Sequence, residues 1–392
     1  MPVGKMLARV LRVMALAGYR YKVWFRRNRR QLFLRWRDAG IADQLVDYRR
    51  SIEHKDWPAA LPKALALASI AKARREVHLL DELSKALMRM GAYGPAADLK
   101  IARRHIIDPP VDNEWLGQDV SNQTLLVDLM ETEKQGLATA IHHASSVGQA
   151  LKRAARLIVL VEGRLVPLLQ RTFPVADVRP ADLTNKAAYA EAHAFAGVHH
   201  LTAAFETDAE TIRRNFVPLA PDRTRVAELR VRYSGNGRPL VGIAWGSSNP
   251  GKDLPPLTAW QPLLRRGDLT FVSLQYGDIE EDLNILTGCK PERIVCDSAV
   301  DQLVDMDTFA AQVAAMDAVV TISNTGAHLA GALATPSVFI LGDGFKRSWP
   351  VEGDGTPYYP SAVLVSKRSR PWDVVMDEAE ETLERMLVSK PT

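Results

Sequence analysis

Cysteine is scarce in this chain: Cys289 and Cys296 are the two among 392 residues. Their spacing fits no common zinc or redox signature, so neither a disulfide framework nor a cysteine-held metal is expected, and both read as buried or incidental thiols. The scarcity suits a reducing cytoplasm. Long apolar runs are missing as well, since no stretch approaches the roughly eighteen residues that a membrane-spanning helix needs. Acid is nearly missing from the first forty positions, where Asp38 stands against eleven Lys and Arg. The rest of the chain carries 39 basic and 45 acidic residues, so the net charge of +4 belongs to that one segment. With 47% apolar and 24% charged residues, the composition is otherwise that of a globular chain long enough for two or three domains.

Residues 1–40 carry a helical pattern. Leu7, Val10, Met14, Tyr21, Phe25, Leu32 and Trp36 recur on one face at spacings of three, four and seven, with most arginines on the other. A basic amphipathic helix of this kind is suited to an anionic membrane surface. The plainer reading packs its apolar stripe on the protein body. Arginines interrupt the apolar part and no small-residue cleavage site follows, which argues against a secretory leader. No recognition module for nucleic acid follows either. The expected location is cytoplasmic, and peripheral on the inner membrane if the helix binds lipid.

Residues 41–105 read as helices throughout. The phrases Asp56-Trp57-Pro58-Ala59-Ala60-Leu61 and Ala92-Tyr93-Gly94-Pro95-Ala96-Ala97 place Trp57 and Tyr93 36 residues apart. That is close to the tetratricopeptide period of about 34, so 41–108 is expected to be a tetratricopeptide-like module and a candidate surface for a protein partner. A docked alanine-rich hairpin is the alternative. Pro109 and Pro110 end the helical block. Strand-like 124–130 and 156–161 then alternate with helices, while 187–205 reads as helix or as a long connection. Turn residues at 234–239 mark a linker. Strand-like stretches follow at 240–245, 270–276, 293–296, 318–322 and 337–341, with helices near 260–266 and 308–316. Strands alternating with helices indicate parallel βαβ units, here in two domains, 109–235 and 236–392. A ligand is expected at the carboxyl ends of their strands.

The stretch Ile322-Ser323-Asn324-Thr325-Gly326-Ala327-His328-Leu329-Ala330-Gly331-Ala332-Leu333 takes a buried strand through a polar turn into a helix. The unpaired N–H groups and dipole at such a helix start suit a diphosphate, aided by the Thr325 hydroxyl and by Gly326. Equally, Ser323 or Asn324 simply caps the helix and Gly326 eases packing.

This phrase resembles the signature of glycosyltransferase family 9, the heptosyltransferase-like enzymes of the GT-B fold, in the branch with N-terminal tetratricopeptide repeats. Val241-Gly242-Ile243-Ala244-Trp245-Gly246, Lys252-Asp253-Leu254-Pro255-Pro256-Leu257, Phe271-Val272-Ser273-Leu274-Gln275-Tyr276-Gly277-Asp278 and Thr356-Pro357-Tyr358-Tyr359-Pro360 fit the same branch. The similarity is strong over 236–365 and faint over 115–235. It implies an α/β fold of two Rossmann-like domains behind the helical module. It also implies a nucleotide-sugar donor held by the second domain. Thr325, Gly326 and His328 would surround the diphosphate, Asn324 would stand near the sugar, Gly246 and Ser247 would line the cleft, and Lys252 would stabilise the departing nucleotide. Gln275, Tyr276 and Gly277 would meet the nucleoside. No metal or other cofactor is implied, and Asp305-Met306-Asp307 reads as the acidic start of a helix.

Two positions depart from the family pattern. Asn324 stands where members often have aspartate. In the first domain, Thr139 stands where an aspartate is expected to act as base, and Glu131, Glu133, His142 and His143 are the nearby candidates to replace it. The resemblance implies inverting transfer of a sugar to a hydroxyl of a glycan, a lipid-linked acceptor or a protein, in cell-surface glycoconjugate synthesis. The alternative is a catalytically silent scaffold or sugar-nucleotide-binding protein. A third reading, a sugar-nucleotide epimerase, lacks its carboxylate and histidine set.

Overall fold

The structure, a computed structural model, describes residues 41–130, 136–181, 187–235, 237–288, 290, 293–343 and 349–388. The basic segment 1–40, Glu131, Glu133 and Cys289 lie outside the described residues. Cys296 is an exposed free thiol. No helix among the described residues is long and apolar enough to cross a membrane.

Contacts divide the chain after Leu79 into two compact units. In the first, α1 (Ile41–Glu53) buries Ile41, Leu45 and Tyr48, and α2 (Trp57–Ala73) buries Ala60, Ala64, Leu67 and Ala71. These spacings of three and four put one apolar stripe on each helix, and the two stripes meet. Asp56 caps α2 by accepting from Ala59 N at 3.1 Å, with Pro58 in the first turn. The helix α3 (Val77–Arg89) opens at the boundary between the units.

The second unit begins with α4 (Tyr93–Ile107), followed by an all-parallel four-stranded sheet. Its elements are β1 (Val120–Asp128), α5 (Leu137–Leu151), β2 (Ala154–Val161), α6 (Val166–Thr172), β3 (Asp177–Pro180), α7 (Ala187–Glu191), β4 (Ala194–Gly197) and α8 (Val198–Phe205). The strand order is β3-β2-β1-β4. The stretch at 187–205, read from sequence as helix or connection, therefore contains the edge strand β4 between two short helices. Tyr93 opens a helix just as Trp57 does, but its helix packs on α8 of the sheet domain.

Helices α9 (Ala209–Arg214) and α10 (Arg223–Tyr233) lead to the second sheet. It comprises β5 (Leu240–Ala244), α11 (Gln261–Leu264), β6 (Thr270–Ser273), α12 (Glu280–Thr287), β7 (Ile294–Val295), α13 (Met306–Ala314), β8 (Ala318–Ile322), α14 (Thr325–Ala332), β9 (Ser337–Leu341), β10 (Ala362–Ser366) and α15 (Trp372–Val388). All strands are parallel, in the order β10-β9-β8-β5-β6-β7. Every residue of β5, β8 and β9 is buried, which is why these strands read as unbroken apolar runs: helices cover both faces of such a sheet.

The two sheets are tied by ion pairs as well as by apolar packing. Arg171 on α6 grips Asp307 with two bonds of 2.9 Å. Asp305 caps α13, accepting from Asp307 N and Thr308 N at 3.1 and 2.9 Å. Both acids of the Asp-x-Asp phrase are thus occupied in holding the fold.

Candidate functional site

In each sheet the chain reverses its direction of travel at one place, and in open parallel sheets the carboxyl ends of the strands at such a place are where ligands bind. In the second sheet that place lies between β5 and β8. The residues beyond these two strands are Gly246 and Ser247 on one side and 323–326 on the other. Asn324 caps α14, its side-chain oxygen accepting from Ala327 N at 3.0 Å. Its amide nitrogen reaches Gly246 O at a long 3.5 Å. An aspartate could supply the cap but not this second bond. With Ala327 N taken, Thr325 N and Gly326 N are the first two helix amides and have no side-chain cap among the described residues. They point, with the helix dipole, into a half-exposed turn.

Lys252 reaches this turn. Its ammonium donates to the carbonyl of Ser323, next to the cap. Burial lowers the Lys252 pKa from the ordinary lysine value. The loop that carries it is anchored by Asp253, which accepts from Asp343 N at 2.9 Å and from Lys367 Nζ at 3.0 Å. Gly342, at the end of β9, lies directly under the Asp253 carbonyl. A Cβ at this position would stand 1.8 Å from that oxygen.

Three predicted nucleoside contacts serve the loops. Gln275 Oε1 accepts from Trp245 N at 3.1 Å and Gly246 N at 2.7 Å, stitching the ends of β5 and β6. The Tyr276 hydroxyl accepts from Ser248 N at 2.8 Å, and Gly277 turns the chain with φ of 91°. Ser247 Oγ accepts from Asn249 N at 3.3 Å. Nine of the ten predicted donor-site residues therefore gather at the carboxyl end of the second sheet, several as its framework, while the tenth, His328, is buried.

A second set of polar groups, buried between the sheets, was not apparent as a cluster in the sequence. His328 stacks on Trp349 at 5.0 Å, and Trp349 donates to Ser323 Oγ at 2.7 Å. The Tyr359 hydroxyl lies 2.8 Å from His328 Nδ1 and 3.3 Å from His142 Nδ1. His143 Nδ1 lies 2.7 Å from Glu206 Oε1, and the Tyr358 hydroxyl donates to Glu206 Oε2 at 2.9 Å. Burial pushes the Glu206 carboxyl up, but His143, Lys100 and Tyr358 together hold it below the usual glutamate range. Burial also drives His142 well below the ordinary imidazole value, reinforced by His143, His328 and Lys100. Tyr358 and Tyr359 are pushed well above the ordinary phenol value by burial, and next by Glu206. His142, His143 and Glu206 each offer a metal-ligating atom within 4.8 Å of one another. His143 and Glu206 already bond each other, however, and the second Glu206 oxygen takes the Tyr358 hydroxyl. Within this set, His143 is thus engaged through Nδ1 and both Glu206 oxygens are taken.

His328 makes a pH prediction. Burial, then Lys252 and His143, lower it to about 4, below an unfolded value of about 6.5. The fold thus holds the neutral ring. Its contribution is complete above about pH 6.5 and is lost as the pH falls through about 4, a change of order 3 kcal/mol. Chemical denaturation between pH 7 and 4 should show His328→Asn losing less stability on acidification than the parent; equal losses would contradict the assignment.

Gly331 explains one glycine of the signature phrase. A Cβ there would stand 2.4–2.8 Å from three atoms of the Tyr359 ring. Gly331→Ala must displace that buried ring, at a cost of about 1–3 kcal/mol, with a loss of thermal midpoint as the readout.

No family model matches the chain. Protein FlbA of Caulobacter vibrioides is 29% identical over 290 residues, 69% of this chain and 48% of FlbA. The chain thus spans about half the length of that curated relative. Among solved structures, the ADP-heptose lps heptosyltransferase II of E. coli matches with TM-score 0.50 and 15% identity, over 68% of this chain and 98% of that one. A glycosyl transferase family 9 protein from Veillonella parvula DSM 2008 matches with TM-score 0.49 and 11% identity, over 70% of this chain and 100% of that one. With its two parallel sheets and the helices that precede them, the chain has the GT-B fold of the heptosyltransferase, the fold that the phrase ending β8 and opening α14 implies.

Proposed function

We propose that the chain is a glycosyltransferase that moves a sugar, with inversion, from a nucleotide-sugar donor to a hydroxyl of a glycan, a lipid-linked acceptor or a protein. The observation that carries this reading is the Lys252 ammonium on the Ser323 carbonyl, beside the amides of Thr325 and Gly326, uncapped among the described residues, at the switch point of the second sheet. A cation, two N–H donors and a helix dipole converge there. They suit a leaving nucleoside diphosphate, whose charge grows as the glycosidic bond breaks. Residues 236–392 are the donor domain in this reading and 109–235 the acceptor domain. The module at 41–108 meets a protein partner, and 1–40 an anionic membrane surface. The heptosyltransferase fold supports transferase chemistry and makes ADP-heptose the first donor to try.

The test is release of nucleotide from ADP-, UDP-, GDP- and CMP-sugars by the purified chain. Turnover of one donor supports the proposal. A folded chain that binds a sugar nucleotide without turning it over across a broad acceptor panel favours the silent binding protein instead. The commitment of Asn324 and Gln275 to the framework is compatible with that second reading.

A further inference from the structure

A transferase needs a group to take the acceptor proton, and Thr139, where the family resemblance expects an aspartate, cannot be it. Thr139 lies in the first turn of α5, its N–H on Gly136 O at 2.9 Å, and a threonine hydroxyl is no base at neutral pH. We propose that His143, oriented by Glu206, is the general base of the acceptor domain, an assignment that rests on the transferase reading above.

Its place in the fold is the first argument. The first sheet reverses direction between β1 and β4, where Asp128 pairs with Gly197. Helix α5 follows β1 and carries His143; α8 follows β4 and ends at Glu206. The two helices pack together, so the pair bridges the elements that follow the two strands of this domain's switch point.

The geometry is the second. An ionised carboxylate only accepts hydrogen bonds, so the 2.7 Å contact fixes the proton of a neutral His143 on Nδ1. The lone pair is left on Nε2, which makes no hydrogen bond among the described residues. A base whose second nitrogen is held by a carboxylate is the arrangement that general-base catalysis by histidine requires.

The third argument is the reach of the pair toward the donor. The His142 ring stands 4.7 Å from that of His143 and 5.6 Å from that of His328, which lies in the first turn of α14. Tyr358, which completes the Glu206 carboxylate, comes from the segment between β9 and β10 of the second sheet. The orienting carboxylate is therefore fully bonded only while the two sheet domains are together. That links activation of the acceptor to the presence of the donor half of the site. Tyr358 and Glu206 are positioning residues, and His143 is the group that touches the acceptor.

In the step itself, the acceptor oxygen forms a bond to the anomeric carbon as its proton passes to His143 Nε2. The bond from that carbon to the phosphate oxygen breaks, and its electron pair leaves with the nucleotide, beside Lys252 and the α14 amides. Glu206 faces the resulting imidazolium without taking its proton.

The experiment uses the full chain and, as probes, ADP-, UDP-, GDP- and CMP-sugars, with water as acceptor where no other is known. His143→Gln should keep the donor-induced rise in melting midpoint and lose about 10²- to 10⁴-fold in nucleotide release. Added imidazole should restore part of the rate to His143→Ala, which a purely structural role would not allow. In the unaltered chain labelled with ¹⁵N-histidine, the His143 resonances should show Nδ1 protonated and Nε2 bare, and Glu206→Gln should shift that population toward Nε2–H. A folded His143→Gln chain that binds donor and releases nucleotide within threefold of the parent overturns the assignment and leaves the donor site standing. So does an Nε2–H tautomer in the parent, a measurement that does not depend on any variant folding. A folded parent that binds no sugar nucleotide overturns the transferase reading and this assignment with it.

Discussion

Lys252→Ala is expected to lower nucleotide release by about 10²- to 10³-fold, a loss of roughly 3–4 kcal/mol in the transition state, with little change in melting midpoint. The two halves of this expectation have separate causes. Lys252 is half-buried, and burial already disfavours its charged form, so its removal costs the resting fold little. Its one hydrogen bond among the described residues goes to Ser323 O, a carbonyl at the mouth of the α14 turn. In the absence of donor, therefore, the ammonium contributes little to stability. Once a diphosphate departs against the Thr325 and Gly326 amides, the ammonium is the cation beside the growing charge. Steady-state release with the best donor, set beside thermal melting, checks both halves. A variant that turns over like the parent would remove the donor site from this turn.

Gly342→Ala should be more damaging still, because it affects fold and site together. The added Cβ would lie 1.8 Å from Asp253 O and 2.7 Å from Asp253 C, and both are backbone atoms that no rotamer change can move. The loop cannot give way freely. The Asp253 carboxylate is bound to Asp343 N and Lys367 Nζ, and Asp343 in turn accepts from Ser369 N at 2.8 Å. Either these bonds break or β9 shifts against β8, every residue of which is buried. A cost of about 3 kcal/mol or more follows from overpacking of this kind. Displacement of residue 253 also carries Lys252 away from Ser323, so release should fall at least as far as in Lys252→Ala. Urea denaturation and nucleotide release together read the outcome, and parental values in both would contradict the geometry of this loop.

These two residues show how unevenly the sequence speaks. Strands β8 and β9 are legible to the residue, because a parallel strand buried on both faces is an unbroken apolar run. The cap is legible to within Ser323 or Asn324, because a short polar side chain before a helix accepts from its first amides, and Asn324 is the one that does. By contrast, β4 is Ala-Phe-Ala-Gly, four residues of which only Phe195 favours a strand, and its pairing with β1 depends on a partner about seventy positions earlier. The site divides in the same way. Lys252 and the 323–326 turn stand in phrases whose resemblance to a family already brings them together in the sequence. Glu206 stands in no such phrase. Its meaning comes from His143, 63 positions before it, and Tyr358, 152 positions after it. Gln275, Tyr276 and Asn324 lie on the expected edge, yet their polar atoms bond the chain's own loops. Sequence places such residues at a site and does not distinguish a framework group from a ligand contact, since both are polar and both sit at strand ends.

The measurement that bears most directly on the central claim is the melting midpoint of the chain, alone and as Lys252→Ala, with ADP-, UDP-, GDP- and CMP-sugars at high concentration. A ligand bound only by the native state raises the midpoint, by about 2.7 kcal/mol of added stability at a hundred times its Kd. The account predicts a selective rise with one nucleotide, reduced in Lys252→Ala. No rise with any of the four, in folded protein, would contradict a donor site at the start of α14.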